Sequence, residues 1–377
     1  TVALGAVKRR FASDLGKISN YYAEDASESL IFCHFSQSLQ DNKYDQVTSM
    51  ETLRKTMNST LEEYNETNAV MNLVLFDDAI RHCCRISRII NNPGGHALLV
   101  GVGGSGKQSL SRLSSFICGY GVYQITLNQT YGLNDLKEDL QKMYMRAGVK
   151  DEGVSFLFTD SQVKDERFLV FLNDLLSSGN IPDLFDAEGV DNIVGSSAII
   201  SAVKEAGLKP ENKICWEFFL KRVRQNLHVI LAFSPVGEDF RVRAMRFPAL
   251  VNCTVIDWFH AWPVSALEKV ARGILEETEF DSDDIRTGVI SFMPYSFDIV
   301  NKVAKKFRAQ EQRVVHTTPK SFLELLSLYQ NLLAKKQTAM MSKITRLSDG
   351  LEKLRQTAET VAVISESLEE QLVVANE

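Results

Sequence analysis

Apolar and polar residues divide the 377-residue chain into stretches of different texture. Through residue 70 the text is polar, with intermittent helical patterning. Within it, residues 30–35 read as a strand or packing segment and residues 50–64 as an amphipathic helix; His34, among apolar neighbours, reads as an ordinary histidine rather than a ligand. From Leu73-Val74-Leu75-Phe76 the chain turns dense. Asp77 is placed as the N-cap of a helix carrying Ala79, Ile80, Cys83 and Ile86, and Asn92-Pro93-Gly94-Gly95 ends it. Short apolar runs at 97–100, 122–127, 154–159, 227–233 and 253–257 then predict five strands. Helical text separates them at 110–117, 134–147, 166–176 and 211–226. This alternation predicts an α/β unit over residues 71–262, a parallel sheet with helices on both faces. Residues 263–333 predict a small all-helical unit, with helices at 264–277, 283–292, 296–311 and from 318 onward, where Thr318-Pro319 supplies an N-cap and a first-turn proline.

The last stretch, 334–377, has its own period. Met340, Ile344, Leu347, Leu351, Leu354, Ala358, Val361, Ser365, Leu368 and Leu372 alternate spacings of four and three, a heptad seam broken only by the polar Ser365. A helix running straight on from Lys320 would extend for roughly 58 residues, about 87 Å. The partner of its seam is not evident in this sequence.

Composition narrows the classes. Hydrophobic residues make up 45% and charged residues 24%, an ordinary globular balance at this length for two or three units. The net charge of −6 comes without a basic block, so no nucleic-acid partner is expected. No apolar run approaches the ~20 residues of a membrane span, so no membrane partner is expected either. The six cysteines show no metal-ligand spacing and fit a reduced, intracellular chain. The text opens at Thr1 without an initiator Met and stops inside the heptad repeat, as expected of a piece of something longer.

The chemistry concentrates after the first strand of the sheet. Gly101, Val102, Gly103, Gly104, Ser105, Gly106 and Lys107 form a glycine-rich loop between a strand and a helix, the context a P-loop requires. Its N–H groups and the helix N-terminus suit phosphate, and Lys107 suits the β/γ-phosphates. The Mg²⁺-binding hydroxyl expected next is absent: Gln108 stands there, with Ser109 one place late. Asp160, 53 positions beyond Lys107 at the end of the strand 154–159, is the candidate acid for Mg²⁺ and its water. Asp160 and Ser109 are therefore the candidate Mg²⁺ ligands. A hydrolytic module would carry Glu after this Asp; here Ser161 follows, and Glu166 is too far along to be assigned the role. Ser234 ends the strand 227–233 where a longer γ-phosphate sensor is usual. Three departures together favour a site that holds nucleotide and turns it over slowly or never. Arg241, Arg243 and Arg246 are either a solvated basic turn or the source of an arginine for a neighbouring site.

Taken in order, these motifs resemble the fourth AAA+ module of a dynein heavy chain with the beginning of its stalk. The resemblance is carried by the loop 101–110, by Thr159-Asp160-Ser161-Gln162 and by the run 175–185. It continues through 241–252, through Ile256-Asp257-Trp258-Phe259-His260-Ala261-Trp262-Pro263 and through 318–323. Asp160-Ser161-Gln162, without the second acid, is similar to axonemal and especially outer-arm chains. The resemblance implies an AAA+ P-loop fold with a helical lid and a coiled-coil helix, one of six modules in a single polypeptide. Residues 1–70 would be the end of the preceding module and a connector. Leu73, Val74, Leu75 and Phe76 would line the adenine pocket, Lys320 would be the second sensor, and Arg243 is a candidate trans-acting arginine. The nucleotide would be ATP or ADP. Partners would be the neighbouring modules, the returning stalk strand of the same chain, other dynein subunits and, through the stalk tip, the microtubule. The setting would be the cytoplasm and cytoskeleton, in the axoneme of a cilium or flagellum. The parent would be an ATP-driven, minus-end-directed motor. For this module three readings stand: a regulatory nucleotide site, a working ATPase, or a vestigial site serving as rigid base for the stalk.

Overall fold

The computed structural model describes residues 31–36, 43–71, 73–276, 278–315 and 317–375. The patterning before residue 31 lies outside the described residues. Of the segment 30–35, Phe32–Cys33 (β1) forms a strand, antiparallel to Asp45–Gln46 (β2). The described residues form two compact units, one ending at Ala261 and the other beginning at Trp262.

The first unit is built on a five-stranded parallel sheet. Its strands are Ala97–Val100 (β3), Gly121–Tyr123 (β4), Val154–Thr159 (β5), Leu227–Phe233 (β6) and Val255–Trp258 (β7), in the order β4-β5-β6-β3-β7. The three central strands β3, β5 and β6 are buried along their whole length. That is why they read as unbroken apolar runs: a parallel sheet is covered on both faces, so alternation is lost. Val100 pairs with Phe233 on one side and Trp258 on the other, while Thr159 pairs with Ala232, which aligns the carboxyl ends of the strands. From β3 the chain crosses towards β4, whereas from β6 it crosses back over β3 to β7. The topology therefore reverses beside β3, where open α/β sheets place their ligands.

The helices of this unit are Met50–Thr67 (α1), Asp77–Ile90 (α2), Lys107–Ile117 (α3), Leu133–Tyr144 (α4), Phe168–Ser178 (α5), Ala187–Val194 (α6), Ser197–Glu205 (α7), Asn212–Asn226 (α8), Asp239–Arg246 (α9) and Ala249–Asn252 (α10). Two expectations are corrected. The N-cap of α2 is Phe76, not Asp77; Asp77 is the first helical residue and its carboxylate pairs with Arg54. An acid suits that first turn through the helix dipole as well as it would suit the cap. Strand β4 ends at Tyr123 rather than 127, because Ile125, although buried, leaves the ladder and presents its carbonyl to Gln162 Nε2 at 2.6 Å.

The second unit contains Val264–Leu275 (α11), Asp283–Glu311 (α12) and Pro319–Ala375 (α13). The sequence suggested two helices, 283–292 and 296–311. One continuous helix passes through Pro294, which is buried with Ile290 and Met293 on the face packed against α11. Packing of that face outweighs the lost N–H and the proline ring's clash. Ser321 N–H donates to Thr318 Oγ1 at 3.4 Å, giving α13 its cap, and Gln330 Nε2 ties α13 to Ile274 O at 2.9 Å. From residue 334 through 365 the helix is exposed on every side. The seam residues Met340, Ile344, Leu347, Leu351, Leu354, Val361 and Leu368 stand in solvent; the side chain of Leu372 lies outside the described residues.

Candidate phosphate-binding site

Strand β3 delivers the chain into the loop 101–106. Gly104 and Gly106 adopt φ of 75° and 92°, a region costly for any residue with a Cβ, and a side chain at Gly103 would meet nothing within 4 Å. The backbone N–H groups of Gly103, Gly104 and Gly106 donate to no acceptor among the described residues. The first N–H groups of α3 likewise have no intrahelical partner. Lys107, the first residue of α3, folds back over the loop. Its Nζ donates to Gly101 O at 2.6 Å, Val102 O at 2.9 Å and Ser105 Oγ at 3.4 Å. Burial lowers the pKa of this ammonium, and the Asp160 carboxylate acts in the opposite direction. The result is a concave row of free donors with one cation at its edge, which suits a polyphosphate.

Gln108 turns away into a side-chain network: its Oε1 accepts from Gln124 Nε2 at 3.5 Å, and Arg112 donates to Gln124 Oε1. Ser109 is half-buried one position further round the helix. Asp160 opens a short 3₁₀ turn at the end of β5. Its Oδ1 accepts from Ser161 N–H at 2.9 Å and its Oδ2 from Ser234 N–H at 3.1 Å, joining the ends of β5 and β6. The Ser161 hydroxyl is engaged with Thr159 Oγ1 at 2.9 Å. In front of these groups lies a cleft of about 330 Å³ lined by Asp160, Ser161, Ser234, Asp239 and Arg243, among others.

Among the three arginines, Arg241 and Arg246 are exposed, while Arg243 is largely buried and donates from Nε and Nη2 to Glu166 Oε1, both at 3.0 Å. Fold and pairing thus bring Glu166 close to the cleft through Arg243. Leu73 and Val74 are half-buried and Leu75 and Phe76 buried, just ahead of α2. Lys320 belongs to the second unit, where its exposed side chain lies 3.7 Å from Glu324.

One polar cluster had no local signal in the sequence. Asp257 of β7, 5% exposed, is bonded to His82 and Arg85 of α2, at 2.6 and 3.0 Å. Its partners stand about 175 positions away. The only available hint was a carboxylate inside an apolar strand, which must find a partner when buried.

A parallel sheet of this order, with a glycine loop running from a central strand into a helix and an acid ending the next strand but one, defines a P-loop nucleotide-binding module. Residues 71–332 match the family model described as P-loop containing dynein motor region D4, and the chain belongs to that family. It is 52% identical over 97% of its length to the dynein alpha chain of the flagellar outer arm of Chlamydomonas reinhardtii, and 51% identical over 94% to human dynein axonemal heavy chain 17. It is 50% identical over 91% of its length to the ciliary dynein beta chain of Tripneustes gratilla. The chain spans about 8% of the length of each of these relatives.

Proposed function

We propose that this chain is a regulatory nucleotide-binding module of an axonemal dynein heavy chain, which holds ADP or ATP with weak or absent hydrolysis and carries the start of the stalk. The observation behind this reading is a complete phosphate cradle beside an incomplete hydrolytic centre. The loop 101–106 and Lys107 offer donors, whereas position 161 offers only a hydroxyl already bonded to Thr159, and Glu166 is held by Arg243. Asp160 is the protein carboxylate for Mg²⁺, with Ser109 the candidate hydroxyl; since Mg²⁺ usually takes one or two carboxylates and phosphate oxygens, an acid and a nucleotide suffice to bind it. When bound, the ion would neutralise phosphate charge. Leu73, Val74, Leu75 and Phe76 line the adenine side, and Lys320 serves as second sensor. Arg243 can reach a neighbouring module's phosphates only by giving up Glu166.

In this reading residues 1–70 close the preceding module, 71–262 are the large subdomain, 263–333 the lid and 334–377 the outgoing stalk strand. The partners are the adjoining modules, the returning stalk strand, other dynein subunits and the microtubule reached through the stalk tip, in the axoneme of a cilium or flagellum. The parent is an ATP-driven, minus-end-directed motor.

Titration of the 377-residue chain with fluorescent ADP and ATP tests the cradle. Lys107 is its one side-chain cation among the described residues, and a charge-assisted hydrogen bond contributes about 1.5–3 kcal/mol. Lys107→Ala should therefore weaken binding about 10- to 100-fold. Unchanged affinity in the variant would misplace the phosphates, and no affinity in the parent chain would leave only a rigid base for the stalk.

A further inference from the structure

The cluster around Asp257 is connected to the phosphate loop by direct contacts. Asp257 pairs in register with Leu99, two residues before the loop. His82 Nδ1 stands 2.6 Å from Asp257 Oδ2, and Arg85 Nη1 donates to Asp257 Oδ1 at 3.0 Å. The His82 ring lies flat on the ring of Phe259, with centroids 3.9 Å apart and planes 7° apart. Phe259 is buried, and its N–H donates to Val100 O at 2.8 Å. It also stands against the first glycine of the loop: a Cβ on Gly101 would come within 2.6 Å of Phe259 Cβ and 3.2 Å of its carbonyl oxygen. Gly101 O in turn accepts from Lys107 Nζ at 2.6 Å. Asp257, His82, Phe259, Gly101 and Lys107 thus form an unbroken run of contacts.

We propose that the Asp257–His82 pair is a positioning device for the phosphate loop: it fixes the Phe259 ring against Gly101 and so sets the backbone from which Lys107 is held. The inference rests on the nucleotide-binding reading above. A carboxylate–imidazole bond made in a buried setting is strong and directional, and a stacked ring pair has a defined geometry. Together they transmit the position of α2 to the start of the loop, where a displacement of a fraction of an ångström would disturb the Lys107 bonds. Holding α2 on the sheet would not by itself require the ring stack or the contact with Gly101.

The test uses the full 377-residue chain, with fluorescent ADP affinity, thermal unfolding without nucleotide, and hydrogen exchange at Gly101, whose N–H donates to Phe233 O at 3.1 Å. Asp257→Asn and His82→Leu should weaken affinity about tenfold and speed exchange at Gly101. His82→Phe, which keeps a ring for the stack, should recover part of the loss. Leu172→Ala, a core change in α5, serves as a control for general destabilisation and should leave affinity within about twofold. If Asp257→Asn and His82→Leu both bind like the parent while Lys107→Ala loses binding, the positioning role is overturned and the phosphate site stands. If Lys107→Ala also binds like the parent, the nucleotide reading fails, and this inference with it.

Discussion

Ser161 is the residue at which the site departs most simply from a hydrolytic one. Its hydroxyl bonds to Thr159 Oγ1, and the nearest later acid, Glu166, is paired with Arg243. Replacing it by Glu restores one group only, because Gln108 is drawn to Gln124 and Ser234 remains short. Ser161→Glu should raise steady-state phosphate release by no more than a few-fold; a rise of a hundredfold would make Ser161 the sole block. Burial, reinforced by His228, lowers the pKa of His96 to about 4 from an ordinary 6.5, and its Nδ1 accepts from Val229 N–H at 3.0 Å. Between those values the unfolded chain takes up a proton that the native state refuses. Stability contributed by neutral His96 is therefore complete above about pH 6.5 and is lost as pH falls toward 4, by about 2 kcal/mol at pH 5. The urea midpoint should drop between pH 7 and pH 5. His96→Asn, which keeps an acceptor for Val229, should reduce that drop without abolishing it, since His34 and His228 are also lowered by burial. An undiminished drop would assign it elsewhere. At this scale the loop residues were legible because a glycine run with a terminal Lys is a local pattern. The Asp257–His82 bond was not, because nothing local in β7 or α2 points to the other.

Elements were legible where their burial is uniform. Strands β3, β5 and β6 are sealed on both faces and announce themselves as apolar runs, whereas the run at 122–127 continued past the ladder because Ile125 is buried in a loop. Four short helices, α6, α7, α9 and α10, escaped a pattern-based reading. Helix α9 is short and seats no fully buried residue, with only Phe240 packed partly against the core, so its apolar signal is weak. Helix α6 did carry a signal: Asp186 caps it, accepting from Gly189 N–H at 2.8 Å. The long helix α13 was legible in full because its heptads are local, but its seam is unpaired along the described length. Each buried Leu or Ile contributes about 1.5–3 kcal/mol, so the seam favours any complementary helix. Fusing an antiparallel heptad strand after Glu377 should slow amide exchange across residues 340–365 by at least tenfold. Unchanged exchange would show that α13 is stable as a lone helix and that its seam does not seek a partner.

The whole chain combines two kinds of device. In the first unit a buried parallel sheet brings the phosphate loop, Asp160 and Ser234 to one edge; in the second, α13 departs as a helix of 57 residues. A nucleotide that binds only the folded first unit would add its binding free energy to that unit's stability. The proposed site holds nucleotide without useful turnover. The direct measurement is a single turnover: limiting labelled ATP is mixed with excess chain and Mg²⁺, the mixture is quenched over time, and the retained nucleotide is identified. Enzymes commonly turn over at about 1–10³ s⁻¹. Bound nucleotide should remain ATP for many minutes. Conversion to ADP and phosphate within seconds, abolished by Lys107→Ala, would contradict it.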